Sequence, residues 1–368
     1  MPREPMRPEP SAAAPVSTDS RSSGAGLPAS VAAQPNPSVL TPPPSHSCES
    51  ALARAGAHWG EHSIWHWQEH RCHWRVLGDR RHPALVLIHG FGAASGHWRH
   101  NAAELAAAGW CVYAIDLVGF GASSQPGYRR RSPLDNRLWA RQLRAFLEEV
   151  VQAPAVLVGN SLGSLVAVTC AVFFPVWVQA VVAAPLPDPT LLMPIPRRHP
   201  RWRRRLRRHG VMLVCRLLPL ELLVPLIART SLLAVGLRSA YSDPHPVDRE
   251  LMHLIARPAR RASAAQALRA MSIGMALRPR AATAAALLER MKQPLLVLWG
   301  GEDRLVPVRI SERLQVHKPD LELSVLSRLG HCPHDERPAL FNQRVLHWLR
   351  ERQHSRERPP TPRAPADA

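Results

Sequence analysis

Short, unbroken apolar runs recur along most of the chain, separated by longer stretches with helical spacing. Ala84-Leu85-Val86-Leu87-Ile88 has no polar position. Such a run predicts a strand covered on both faces rather than one that alternates between core and water. The stretches Trp110 to Ile115, Ala155 to Val158, Val178 to Ala184, 294–299 and 321–327 are expected as further strands. Before them, Ile64 to Gln68 and Arg71 to Leu77 predict a hairpin of short strands. Helical spacing marks residues 98–109, 134–151, 308–316 and 338–352, and Leu165 to Cys170 continues the strand before it as a helix. In 134–151, Leu138, Leu143, Phe146 and Val150 share one side. Strands alternating with helices imply an α/β fold, a mostly parallel central sheet flanked by helices.

Residues 187–290 interrupt this rhythm. They are helical in tendency and carry prolines at 194, 196, 200, 219 and 225. The expected organisation is a core in two parts, 51–186 and 291–353, with a helical cap, 187–290, inserted between them. Residues 1–50 are rich in Pro, Ser and Ala without periodicity, and 354–368 are polar, so both are expected to be disordered tails. The first tail has no apolar h-region, which argues against secretion. A cytoplasmic or a plastid and thylakoid-associated location stays open.

Within the cap, Arg197, Arg198, Arg201, Arg203, Arg204, Arg205, Arg207 and Arg208 precede a long apolar stretch, Val211 to Leu237. Arg216, Glu221, Arg229 and two prolines make that stretch a poor membrane span. It reads either as an apolar roof over a substrate or as a surface resting on a membrane, with arginines at the headgroups. The formal charge of +19 favours anionic partners, and peripheral contact with an anionic membrane surface fits it. No nucleic-acid module is visible, so nucleic acid is not expected as a partner. Six scattered cysteines (48, 72, 111, 170, 215 and 332) form no C-x-x-C pair and read as small buried hydrophobes.

The chemistry concentrates at Gly159-Asn160-Ser161-Leu162-Gly163, placed between a strand and a helix. This is the G-x-S-x-G pattern, in which a sharp turn presents the serine hydroxyl outward. A serine needs a base within reach, and the base needs an orienting carboxylate. With such an elbow the chain order is Ser, then acid, then His. Asp303 follows the strand 294–299 on a glycine-rich turn, with Glu302 its nearest rival and Asp188 a more distant one. His331, in Gly330-His331-Cys332-Pro333-His334-Asp335-Glu336, is the expected base, and His334 is expected to order the loop together with Glu336. The oxyanion donors are expected to be the Leu162 N–H, after the nucleophile, and the Phe91 N–H, in His89-Gly90-Phe91-Gly92. No metal or organic cofactor is needed for this chemistry. The histidines at 62, 66, 70 and 73, with Cys72, fit strand positions rather than a metal site.

These motifs, with Asp116-Leu117-Val118-Gly119-Phe120-Gly121-Ala122-Ser123-Ser124, occur in the order found in the α/β-hydrolase superfamily, which the chain resembles over about 60–355. More narrowly, Gly-Asn-Ser-Leu-Gly and Gly-His-Cys-Pro-His-Asp-Glu are similar to the plant and cyanobacterial pheophytinase and chlorophyll dephytylase group. So are Trp98-Arg99-His100-Asn101, Arg238 to Pro244, Val247-Asp248 and Glu250-Leu251. That resemblance implies hydrolysis of the phytyl ester of a chlorophyll pigment. The chain departs from the group at Ser164, where a second glycine is usual, and at Ala184-Pro185-Leu186-Pro187, where an Asn-containing turn is usual. The expectation is a serine hydrolase acting on a carboxylic ester of a bulky apolar substrate. The alternatives are a lipid esterase, an acyltransferase with the same triad, or a non-catalytic hydrolase-fold binding protein.

Overall fold

A computed structural model describes residues 58–192, 200–243 and 247–357. The expected first tail, Cys48, Pro194, Pro196, Arg197, Arg198 and Pro244 lie outside the described residues, as do the side chains of Arg201 and Arg204. Eight strands form one sheet: β1 (Glu61–Trp67), β2 (His70–Leu77), β3 (Ala84–Ile88), β4 (Cys111–Ile115), β5 (Ala155–Asn160), β6 (Val178–Ala184), β7 (Leu295–Gly300) and β8 (Glu322–Leu326). Their order across the sheet is β1-β2-β4-β3-β5-β6-β7-β8. The hairpin β1–β2 joins β4 antiparallel, and every pairing from β4 to β8 is parallel.

The unbroken apolar runs sit where they should. Every residue of β3, β4, β5 and β7 is buried. Their alternate side chains feed two cores. Val86 and Ile88 join the core containing Trp139, Phe146 and Trp299, while Leu85 and Leu87 join the one containing Trp98, Leu105 and Phe341. Parallel strands all end on one edge of the sheet, so the loops after β3, β5, β7 and β8 converge there.

Helices α1 (Ala102–Ala107), α2 (Asn136–Phe146) and α3 (Leu162–Phe173) fill the first crossovers. The helix expected over 98–109 is instead a 3-10 turn, Ser95–Trp98, followed by the short α1. Arg99 and Asn101 lie between them, buried, and long-range hydrogen bonds hold them in place of a continuous helix: Asn101 Nδ2 donates to the His334 carbonyl (2.9 Å) and to Asn342 Oδ1 (2.8 Å). Asp135 caps α2, and the last turn of the expected 134–151 helix widens into a π turn, Leu147–Val151.

Between β6 and β7 lie α4 (Arg201–Leu217), α5 (Leu220–Arg229), α6 (Leu232–Arg238), α7 (Arg249–Ala259), α8 (Ala264–Leu277) and the short α9 (Ala284–Leu288). The apolar stretch 211–237 is thus cut into three helices, with a 52° bend between α4 and α5. Among the described residues no single helix is long and apolar enough to cross a membrane. The chain ends its described part with α10 (Glu312–His317), α11 (Pro333–Glu336) and α12 (Pro338–Glu357). Helix α12 runs past residue 353, so the first residues of the expected second tail are helical; the rest lie outside the described residues. The five described cysteines are free and buried, and burial pushes the Cys72 thiol up to about 12.

Candidate active site

The turn from β5 into α3 places Ser161 at φ 52°, ψ −114°, a conformation that L residues rarely hold. Gly159 and Gly163 make that turn achievable. A Cβ on Gly159 would lie 2.4 Å from the Gly163 carbonyl carbon, and one on Gly163 would lie 2.2 Å from the Ile88 oxygen. Strain of this kind persists only where the surroundings impose it. Here the Ser161 N–H is held by the Ala184 carbonyl (3.1 Å), and the Asn160 amide donates to the same carbonyl (2.6 Å).

Asp303 and His331 meet across the ends of β7 and β8. His331 Nδ1 lies 2.8 Å from Asp303 Oδ2, and the carboxylate is fully buried. The other carboxylate oxygen, Oδ1, accepts the N–H groups of Leu305 (2.9 Å) and Val306 (2.8 Å). The carboxylate is therefore locked with one oxygen on its own turn and the other on the imidazole. That bond makes Nδ1 the donor and turns Nε2 outward as a proton acceptor. The rivals are engaged elsewhere. Glu302 is exposed and accepts the Ser242 hydroxyl (2.5 Å). Asp188 caps Thr190 N (2.9 Å) and pairs with Arg278 (2.8 Å).

No hydrogen bond joins Ser161 Oγ to His331 among the described residues. The amide of Asn160 links the two loops instead, donating to the His331 carbonyl (3.2 Å). Loops of this kind often close fully only around a substrate. Asn160 has no chemistry of its own, and only its place beside the nucleophile hints at this bridging role. Ser164 has a similar part. Its hydroxyl donates to the Gly159 carbonyl (2.7 Å) and accepts the Ala184 N–H (3.0 Å). The two departures noted above, at Ser164 and at the turn beginning with Ala184, are thus bonded to each other.

One expected oxyanion donor directly follows the serine, and the other belongs to the loop whose Gly90 packs on the elbow. The Leu162 N–H opens α3 and has no partner within the helix. Gly90 packs so closely that a Cβ there would lie 2.5 Å from Asn160 Oδ1 and 3.4 Å from Ser161 Cβ. This brings the Gly90-Phe91 loop over the elbow. His89 shapes that loop: its Nε2 accepts the Leu117 N–H (3.1 Å), so Nδ1 carries the proton and donates to the Gly90 carbonyl (2.8 Å). Burial pushes the His89 imidazole below its ordinary range, which keeps it neutral for both tasks. Asp116, at the start of its motif, binds Ser95 N (2.6 Å) and Ala122 N (2.7 Å), and so braces the neighbouring loop.

The remaining motif residues form a clasp around the His331 loop. Glu336 accepts the N–H groups of Gly330 (2.9 Å), Ser242 (3.1 Å) and Asp243 (3.0 Å). Asp335 accepts the Tyr241 hydroxyl (2.9 Å) and pairs with the buried Arg99 (3.3 Å), which also binds Asp248 (2.8 Å) and Glu250 (3.2 Å). The His331 N–H donates to the Ala240 carbonyl (2.7 Å). Residues 240–243, from the cap side, therefore hold the His331 loop in place, and Asp248 and Glu250 join through Arg99. The expected pairing of His334 with Glu336 is not found. His334 is fully buried with both ring nitrogens unbonded, and it packs on Trp98 (4.3 Å between ring centroids) and on His97 (4.6 Å). Glu336 instead accepts the backbone N–H groups of Gly330, Ser242 and Asp243.

Burial holds the His334 imidazole well below its ordinary range, with the neighbouring His97 adding to the effect. The unfolded chain then takes up this proton first as pH falls. The stabilisation is complete above the ordinary value of about 6.5 and is lost below it, at up to about 1.4 kcal/mol per pH unit. Thermal melting at pH 7 and pH 5 should show a smaller loss for His334→Phe, which keeps the ring on Trp98, than for the parent chain. Equal losses would show that His334 does not carry this pH dependence.

A buried acid–imidazole pair and a strained serine thus share one edge of a parallel sheet, an arrangement of the kind serine hydrolases use. The model of the Alpha/beta hydrolase family matches residues 85–344, and the chain belongs to that family. A curated relative is the 2-hydroxy-6-oxononadienedioate/2-hydroxy-6-oxononatrienedioate hydrolase of Burkholderia vietnamiensis, 30% identical over 292 residues, 77% of this chain and 92% of the relative. The match to Epoxide hydrolase 4 of Mus musculus is 28% identical and spans 35% of each protein. Among solved structures, a putative lipase from Acinetobacter baumannii aligns with a TM-score of 0.63 at 18% identity, over 81% of this chain and 93% of that one. A bacterial membrane phospholipase A aligns with a TM-score of 0.61 at 24% identity, over 79% and 86%. The structural likenesses establish the fold, and the family and its curated relatives support a hydrolytic function.

Proposed function

We propose that the chain is a serine-dependent carboxylic ester hydrolase. The observation that carries this reading is the combination of Ser161 in a strained elbow with the 2.8 Å Asp303–His331 pair on the same sheet edge. Ser161 Oγ attacks the ester carbonyl carbon as its proton passes to His331 Nε2. The N–H groups of Leu162 and Phe91 hold the resulting oxyanion. His331 returns the proton to the departing alkoxide, which leaves an acyl-serine. Water then attacks the acyl carbon, its proton goes to His331, and the acid is released as Ser161 regains its proton. Asp303 stays ionised and stabilises the imidazolium throughout.

The proposed substrate is a bulky apolar ester, with the phytyl ester of a chlorophyll-type pigment first. The clasp formed by Arg99, Asp335, Glu336, residues 240–243, Asp248 and Glu250 supports it, because stretches that resemble the pigment-esterase group meet there around His331. The test is a hydrolysis panel of pheophytin, chlorophyll, short acyl esters and the dienedioate class named for the Burkholderia relative, alongside labelling by a fluorophosphonate. Labelling at Ser161 with a preference of about tenfold or more for pigment esters is the expected result. Labelling with preference for another panel member would remove the pigment. No label at Ser161 would remove the serine mechanism.

A further inference from the structure

The arginine-rich helix α4 turns its apolar side away from the protein. Trp202, Leu206, Leu213 and Leu217 fall within about 60° of one another at 100° per residue, on one long face of the helix. Their exposures run from 58% to 73%. Cys215, the one buried residue of α4 among those described, lies on the opposite face, and α4 packs against α8. The stripe therefore does not roof a substrate, as the sequence allowed; it points outward. Across the bend, Leu222 and Leu226 of α5 continue the exposed apolar surface at 74% and 52%. Among the described residues, 12 of the 21 exposed large apolar side chains lie between 202 and 235, so the patch is local and not the ordinary scatter of a protein surface.

Charge selects what covers it. Residues 201–238 contain nine arginines and one acid, Glu221, which is already held by Arg269. Arg203 and Arg205 flank the stripe on either side, and Arg203 lies over the Trp202 ring at 5.2 Å. A second copy docking on the same face would bring these arginines against their own kind. An acidic lipid surface offers both an apolar interior and matching headgroups.

We propose that the α4–α5 face docks on anionic bilayers, with the leucine stripe in the acyl boundary and the arginines among the headgroups. This goes beyond the hydrolytic reading and does not depend on it. The experiment is vesicle flotation of the full chain on phosphatidylcholine alone and with about 30% phosphatidylglycerol, at low and high salt. The expected result is at least about tenfold more binding to anionic vesicles, reduced several-fold at high salt. The double substitution Leu213→Ser with Leu217→Ser should cut binding about tenfold while melting stays unchanged. Arg203→Gln with Arg205→Gln should lower binding to anionic vesicles several-fold and weaken its salt dependence. No flotation, equal binding to neutral vesicles at high salt, or double variants that bind like the parent would overturn the proposal. So would a dimer, seen by light scattering, that the leucine substitutions dissolve without any vesicle binding.

Discussion

Ser161→Ala should reduce ester turnover by about 10⁴-fold or more, to the background left by binding and the oxyanion donors. The reason is that alanine leaves no atom to form the acyl intermediate, while Asp303 and His331 stay paired. Alanine also inherits the strained φ of 52°, so the fold should melt close to the parent temperature. Ser161→Gly separates the two effects. Glycine tolerates positive φ, so this variant should be equally inactive yet more stable by about 1 kcal/mol, or roughly 2 °C in melting. Steady-state rates on the preferred ester and thermal melts of all three proteins are the measurements. Turnover above a few per cent in either variant would refute the nucleophile.

The second large effect is expected from Asp303→Asn. One carboxylate oxygen is fixed by the N–H groups of Leu305 and Val306, so the new amide must keep its oxygen there. Its NH₂ group then faces His331 Nδ1, where a carboxylate oxygen now sits at 2.8 Å. Donor would meet donor, and the imidazole would shift its proton to Nε2, the atom that must accept from the serine. A loss of about 10⁴ in kcat with KM little changed is expected. Glu302→Gln is the control. The Glu302 carboxylate accepts the Ser242 hydroxyl and is not the one bonded to the imidazole, so the kinetics of this variant should stay within about twofold. If Glu302→Gln were the crippled variant, the acid would be misassigned.

Much of this was legible along the chain because it is local. The strands 84–88 and 178–184 match their expected bounds residue for residue, and in the first, buried on both faces, no position is polar. The glycines at 159 and 163 mark the elbow because no side chain fits against the adjoining backbone. Helices were less legible wherever a polar residue had a distant partner. Arg99 and Asn101 break the helix expected over 98–109 because Asp335 and the His334 carbonyl, more than 230 positions later, bind them. Glu336 was expected to help order the His331 loop, but its partners were hidden, since they are backbone N–H groups, those of Ser242 and Asp243 among them, which carry no side-chain signal.

The sequence by itself determined the alternation of strands and helices, the serine turn, and the order in which Ser161, Asp303 and His331 appear, because each depends on neighbours a few residues away. Only the tertiary structure decided that Asp303, rather than Glu302 or Asp188, holds the imidazole. It alone showed that Asn160 bridges the elbow to the His331 loop. It also turned the α4 stripe outward, by burying Cys215 against α8. Each of these depends on which surfaces the folded sheet and cap bring together. Spacing along a chain records local periodicity and turn chemistry, but not the distance between loops that fold from opposite ends of it.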